Sequence, residues 1–289
     1  MLTVSELSMR FGGIQALKDV HFSVPEQSIT ALIGPNGAGK TTVFNCVTGF
    51  YRATSGTIRL AATEGGHYDL IKILGTPFQS SDLLNPTAFA HRLYYKLFGG
   101  SHQVTRRGVA RTFQNVRLFR EMTVVENLLV AQHQQLNRNV LAGLFNAKSY
   151  LTSEKRALEK ARRWLNAFDL LDDANRLAGE LPYGHQRRLE IARAMCTDPR
   201  IICLDEPAAG LNPNETDELN GLIRMLRDQH GVTVLLIEHD MSLVMDISDH
   251  VVVLDHGEVI ASGDPWEIQN NPTVLEAYLG VEEESGETE

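Results

Sequence analysis

The spacing of apolar positions changes rhythm several times along the chain. Residues 2–11 and 20–24 are rich in strand-forming types, and Ser28-Ile29-Thr30-Ala31-Leu32-Ile33 is a short apolar run that stops at Gly34. Residues 42–47 then read as the start of a helix halted by Gly49. Between 153 and 171 the apolar residues Ala157, Leu158, Ala161, Trp164, Leu165, Phe168 and Leu171 fall at steps of three and four, which defines one helical face. A helix is expected over 189–195. It is followed by a strand over 200–204, a helix over 215–229 and a strand over 232–237, the alternation of a parallel sheet with helical crossovers. Residues 251–255 and 258–261 flank His256-Gly257, a hairpin signal.

One stretch resists this reading. Residues 62–104 mix five glycines and two prolines with Tyr68, Phe78, Phe89, Tyr94, Tyr95 and Phe98. Aromatics in that number predict packing instead of a polar linker, with a helix near 88–98. No internal repeat is visible.

The chain has 289 residues, of which 43% are hydrophobic, so it can bury a sizeable core. Its net charge is −9, the wrong sign for a general nucleic-acid binder. Five glutamates lie in residues 282–289, and that run is expected to be a disordered acidic tail. No apolar run approaches the roughly 20 residues of a membrane span, and residues 1–6 show no basic flank before an apolar stretch, so no secretory signal is expected. Cys46, Cys196 and Cys203 are odd in number and lack C-x-x-C spacing. Buried, reduced thiols are the expectation.

The chemistry concentrates at a few places. Gly34-Pro35-Asn36-Gly37-Ala38-Gly39-Lys40-Thr41 fits G-x-x-x-x-G-K-[ST], between a predicted strand and a predicted helix. The glycines let the backbone curl so that N–H groups face phosphate oxygens. Lys40 adds a charge for the β- and γ-phosphates, and the Thr41 hydroxyl suits Mg²⁺. Ile201-Ile202-Cys203-Leu204-Asp205-Glu206 is an apolar strand ending in two acids. Asp205 can hold the magnesium through its water shell, and Glu206 can orient the water that attacks the γ-phosphate.

With these motifs in order, the sequence resembles the ATP-binding cassette family over nearly all of its length except 62–104 and the acidic tail. Leu181 to Ala194 looks like the signature motif and its helix, Thr112-Phe113-Gln114-Asn115 the Q-loop, Ala209-Gly210-Leu211-Asn212 the D-loop, and Ile237-Glu238-His239-Asp240 the switch region. The implied fold is α/β: a RecA-like P-loop NTPase core with an antiparallel β subdomain and an α-helical subdomain. The implied organisation is one ATPase domain over 1–280, with an atypical insertion at 62–104, the helical subdomain at 115–195 and the tail at 281–289. Glu206, His239 and Gln114 would be catalytic. Phe11, Gly34, Pro35, Asn36, Gly37, Ala38, Gly39, Lys40, Thr41 and Thr42 would contact ATP, and Thr41, Gln114 and Asp205 would serve Mg²⁺. Phe11 has two readings, a strand-core phenylalanine or the aromatic that stacks on adenine. Arg106, Arg107, Arg111, Arg117 and Arg120 read as a solvated face or a partner contact.

The signature departs from the family's Leu-Ser-Gly-Gly-Gln. Here it is Leu181-Pro182-Tyr183-Gly184-His185, and Pro182 offers neither hydroxyl nor backbone N–H to a nucleotide held by an opposing subunit. The resemblance implies a head-to-tail dimer, here a heterodimer with a second ATPase subunit. Two transmembrane permease subunits and a solute-binding protein would complete it, with the ATPase peripheral on the cytoplasmic face of the inner membrane and no nucleic acid involved. Within the family the chain is most similar to ATPase subunits of branched-chain (hydrophobic) amino-acid importers, on residues 110–119 and 205–213, Glu238-His239-Asp240-Met241 and Ala277-Tyr278-Leu279-Gly280. Urea importers, lipopolysaccharide-export ATPases and non-transport cassettes are the alternatives.

Overall fold

A computed structural model describes residues 1–63, 65–74, 100–133 and 148–285. The helix expected near 88–98 lies outside the described residues. Strands β1 (Leu2–Phe11) and β2 (Ile14–Val24) form an antiparallel pair, which β4 (Ser55–Ala61) and β5 (His67–Asp69) extend to the order β2-β1-β4-β5. The second sheet has six strands, ordered β10-β9-β3-β8-β7-β6. They are β3 (Ile29–Ile33), β6 (Val109–Arg111), β7 (Ile201–Asp205), β8 (Thr233–Ile237), β9 (His250–Asp255) and β10 (Glu258–Gly263). All neighbours in it run parallel except the β9–β10 hairpin. Every residue of β3, β7 and β8 is buried, which is why these strands read as continuous apolar runs and not as alternating patterns.

The helices are α1 (Lys40–Val47), α2 (Leu70–Ile73), α3 (Ser101–Thr105), α4 (Val124–Ala131), α5 (Lys148–Ala167), α6 (Tyr183–Met195), α7 (Pro213–Asp228), α8 (Met241–Ile247), α9 (Pro265–Gln269) and α10 (Pro272–Ser285). Two of them start on a capping box: Thr123 with Glu126 before α4, and Asn212 with Glu215 before α7. One core cluster joins α1 to the antiparallel sheet. A second packs α4, α5, α6 and α7 against the other side of the parallel sheet. A third, smaller cluster seats Ile268, Val274 and Tyr278 of α9 and α10 beneath Ala31, Ile33 and Val253.

One expectation changes. Helix α6 begins at Tyr183, six residues before the expected start, because Pro182 adopts a non-helical cap conformation and the chain turns helical at once. As expected of a segment that is not a polar linker, part of 62–104 is built into the fold: β5 pairs with β4, and Leu70, Ile71 and Ile73 of α2 enter the first core cluster. Helix α10 runs as far as Ser285 and so includes residues 281–285. Glutamate is a good helix former, and the packed first turns of α10 supply the nucleus from which the helix propagates. Residues 286–289 lie outside the described residues.

Candidate functional site

Strand β3 delivers the chain into the Gly34–Lys40 loop, and α1 leaves it. Two glycines are required by close approach. A Cβ on Gly34 (φ 146°) would lie 2.0 Å from the Leu254 carbonyl oxygen, and one on Gly39 (φ 101°) would lie 2.9 Å from that of Ala16. At Gly37 a Cβ would meet nothing within 4 Å, so the middle of the loop has open space beside it. The first N–H groups of α1 have no helical acceptor and are available to an anion. The buried Lys40 ammonium donates to the carbonyls of Gly34 (2.7 Å) and Pro35 (2.9 Å). Burial lowers its pKa, opposed by the negative charge of Glu206.

Asp205 ends β7, one strand removed from β3 through β8. Its Oδ2 accepts from the Arg111 guanidinium at 2.9 Å, and the two side chains are only 8% and 10% exposed. Burial raises the Asp205 pKa, while the Arg111 hydrogen bond and charge pull it down. Arg111 also donates to Asn45 of α1 and to Thr48, which caps its C-terminus, and lies over the rings of Phe44, Phe50 and Phe113. It is therefore a buried ion-pair partner, not part of a solvated face. By contrast, Arg106, Arg107 and Arg117 line a cavity of about 1020 Å³ together with Arg193 and Arg200.

Glu206 follows with φ 45°, a left-handed conformation that a non-glycine residue adopts at a cost of about 1 kcal/mol or more. The turn is held by Glu206 N–H donating to the Ile237 carbonyl (2.9 Å). It aims the carboxylate at Gln114, whose Nε2 donates to Glu206 Oε2 at 2.8 Å. His239, just beyond β8, has a side chain 65% exposed, with Nδ1 3.7 Å from Glu238 Oε2. Glu238 is itself buried and accepts from the backbone N–H of Ala208 (2.9 Å) and of His239 (3.3 Å). Its pKa is raised by burial, which those backbone bonds oppose.

The Pro182–His185 segment sits elsewhere. Among the described residues, none of its hydrogen bonds, ion pairs or ring contacts reaches 34–42. Tyr183 packs against Gly210, a Cβ on Gly184 would crowd Glu215, and His185 Nδ1 lies 3.1 Å from Asp173 Oδ2. Phe11 is 42% exposed and meets Tyr51 edge-on, which removes the strand-core reading. The three cysteines are buried, and burial pushes each thiol up to about 12, as inert core thiols require.

Sequence reasoning missed Arg187. It is fully buried on α6 and donates to the backbone of Phe113, Gln114 and Glu206. The signal available was an arginine followed three residues later by Glu190 on a helix that is otherwise core-forming.

This arrangement suits a bound nucleoside triphosphate: a glycine loop with open space, helix N–H groups, one ammonium, and a carboxylate–amide pair beside them. For a magnesium ion the chain offers the Thr41 hydroxyl and the Asp205 carboxylate, hard oxygen donors of the right kind. No group of three or more His, Cys, Asp or Glu forms a cage among the described residues, so phosphate and water would complete the shell.

A family model described as "ABC transporter" matches residues 17–209. The chain belongs to the ABC transporter family. It is an ABC ATPase, and its fold is that of the family's P-loop NTPase. A second model, "Branched-chain amino acid ATP-binding cassette transporter", matches residues 258–284, the β10–α10 end of the chain. The chain is 54% identical over 280 residues to the high-affinity branched-chain amino acid transport ATP-binding protein BraF of Pseudomonas aeruginosa, covering 97% of this chain and 98% of the relative. It is 51% identical to LivG of Escherichia coli K12, with the same coverage. Among solved structures, a nucleotide-free ATP-binding cassette superposes with a TM-score of 0.71 at 32% identity, covering 96% of this chain and 98% of that one. A cassette in its ADP conformation gives 0.72 at 31%, covering 97% and 98%. No helix among the described residues is long and apolar enough to cross a membrane.

Proposed function

We propose that this ABC ATPase powers the import of branched-chain (hydrophobic) amino acids through separate membrane subunits. It would act as one half of an ATPase dimer, with two permeases and a solute-binding protein, on the cytoplasmic face of the inner membrane. The solute class rests on the likeness to BraF and LivG and on the match at 258–284. The observation that carries the chemistry is the Gln114–Glu206 hydrogen bond, beside an ammonium already placed at the mouth of the glycine loop.

In this reading the ATPase domain spans 1–280, with 62–104 as an insertion and 115–195 as the helical subdomain. The loop from Gly34 to Thr42 cradles the phosphates, and Phe11 stacks on adenine. Glu206 accepts the proton of the attacking water while Gln114 orients it. Phosphoryl transfer needs positioning above all, and the direct Gln114–Glu206 hydrogen bond holds the two side chains side by side, so that one water could contact both. His239, exposed at the end of β8, reaches the γ-phosphate. Thr41, Gln114 and, through a water, Asp205 would hold a magnesium ion, which would supply positive charge against the phosphates.

Pro182, Tyr183, Gly184 and His185 face the partner's nucleotide. With no serine hydroxyl, the N–H groups at the start of α6 supply the anion contact. The test is reconstitution with the cognate permeases and binding protein in proteoliposomes. ATP-dependent leucine uptake that Glu206→Gln abolishes is expected. Uptake of urea but not of leucine would overturn the solute class, and uptake insensitive to Glu206→Gln would overturn the site.

A further inference from the structure

Arg187 has no solvent exposure, yet only one of its bonds serves its own ion pair. Its Nη1 donates to Phe113 O at 2.7 Å and to Glu190 Oε2 at 3.1 Å. Its Nη2 donates to Gln114 O at 2.7 Å and Glu206 O at 3.3 Å. Glu190 completes the bracket, since its Oε1 accepts from the backbone N–H of Arg117 at 3.1 Å. The pair on α6 thus grips the Q-loop backbone at Phe113 and Gln114 on one side and at Arg117 on the other. The same guanidinium holds the peptide after Glu206.

One helical turn toward the N-terminus, Tyr183 Oη lies 3.4 Å from Arg187 Nη2, and the Tyr183 ring lies against Gly210 (φ 80°), where a Cβ would meet Cε1 at 3.3 Å. A buried ion pair used for stability alone gains little over an apolar pair of the same volume. In this one, two of the five hydrogen bonds of Arg187 go to the backbone carbonyls of Gln114 and Glu206, the two residues whose side chains meet at 2.8 Å, and a third goes to Phe113 beside them.

We propose that Arg187 is a positioning residue for hydrolysis. It fixes Gln114 opposite Glu206 and, through Tyr183, links that pair to the end of α6 that faces the partner's nucleotide. The inference rests on the roles given above to Gln114 and Glu206. A lysine keeps the charge for Glu190 but cannot span carbonyls in two directions, because the planar fork is lost.

The test uses the assembled transporter and compares ATPase kcat and KM for Arg187→Lys, Gln114→Ala and the two combined. Arg187→Lys is expected to lower kcat about ten- to a hundredfold at a KM changed by less than about twofold. The double variant should then lose no more than the worse single one, because Arg187 acts through Gln114. An unchanged kcat in folded Arg187→Lys, or losses that multiply in the double variant, would overturn the proposal. Should Arg187→Lys fail to fold, Arg187→Gln with Glu190→Gln removes both charges while keeping polar side chains at both positions, and is judged by the same criteria. Failure of both to fold assigns Arg187 a purely structural role and also overturns it. Full activity in Glu206→Gln or Gln114→Ala would instead sink the reading of the site on which this one depends.

Discussion

Replacing Arg111 with methionine strands Asp205 in the interior without its counter-ion. Methionine keeps the apolar stem against Phe44, Phe50 and Phe113 but removes the guanidinium. Because both side chains are about nine-tenths buried, removing one member of the pair costs about 3–5 kcal/mol. At about 2–4 °C per kcal/mol for a domain of this size, the melting temperature at pH 8 should fall by roughly 6–20 °C. The loss has a direction in pH. Burial already raises the Asp205 pKa above its ordinary 3.8, and Arg111 opposes that rise, so the variant raises it further. Between the unfolded value and the raised folded one, the native form holds a proton that the unfolded chain has released. Stability therefore falls as pH rises through that window, and the deficit is largest above it. Melting curves at pH 5 and pH 8 for Arg111→Met, Asp205→Asn and the double variant should show a smaller deficit at pH 5. The double variant should recover much of the loss at pH 8. A variant melting with wild type at pH 8, or a deficit that Asp205→Asn does not relieve, would refute the reasoning.

Other outcomes follow from the same geometry. Glu206→Gln should lower ATPase turnover by about 100- to 10,000-fold while leaving nucleotide affinity intact; equal loss of both would make Glu206 a binding residue. Pro182→Ser should add an N-cap to α6, which has no side-chain cap bond, raising stability by about 0.5–2 kcal/mol with ATPase activity preserved or raised. A large loss of activity would mean that the proline itself is needed. Phe11→Ala should weaken binding of a fluorescent ATP analogue about 5- to 100-fold if the ring stacks on the base, and unchanged affinity would end that assignment.

What could be read in the sequence and what could not divide along a physical line. Strands β3, β7, β8 and β9 announced themselves because burial on both faces leaves an uninterrupted apolar run. The glycine loop was legible because its chemistry is contiguous. Arg111 and Arg187 were not, because an arginine earns a buried place only from partners far along the chain. Arg111 finds Asn45 and Asp205 across 66 and 94 positions, and Arg187 finds Phe113 across 74. Nothing in their neighbours' hydropathy separates them from the exposed Arg120. The start of α6 was hidden by a proline and a glycine, which read as a turn until the cap geometry shows them opening a helix. Residues 281–285 continue the helix that Val274 and Tyr278 anchor upstream, a continuation that the run of glutamates does not announce.

The close approach of Gly34 to Leu254 also sets an order of events during synthesis. Ala38 O accepts from the N–H of Gly257, and Gly257 O accepts from the N–H of Lys18, so the β9–β10 turn is stitched to the glycine loop on one side and to β2 on the other. The loop is complete as text by Thr41, yet its shape depends on residues more than two hundred positions further on. At a translation rate of about 5–20 residues per second, that separation is roughly 10–40 s. During that interval a nascent chain carries the motif without the wall that gives it form. ATP capture is thereby deferred until nearly the whole subunit has emerged, and a chain truncated before β9 would keep the phosphate-binding letters and lack the phosphate-binding object.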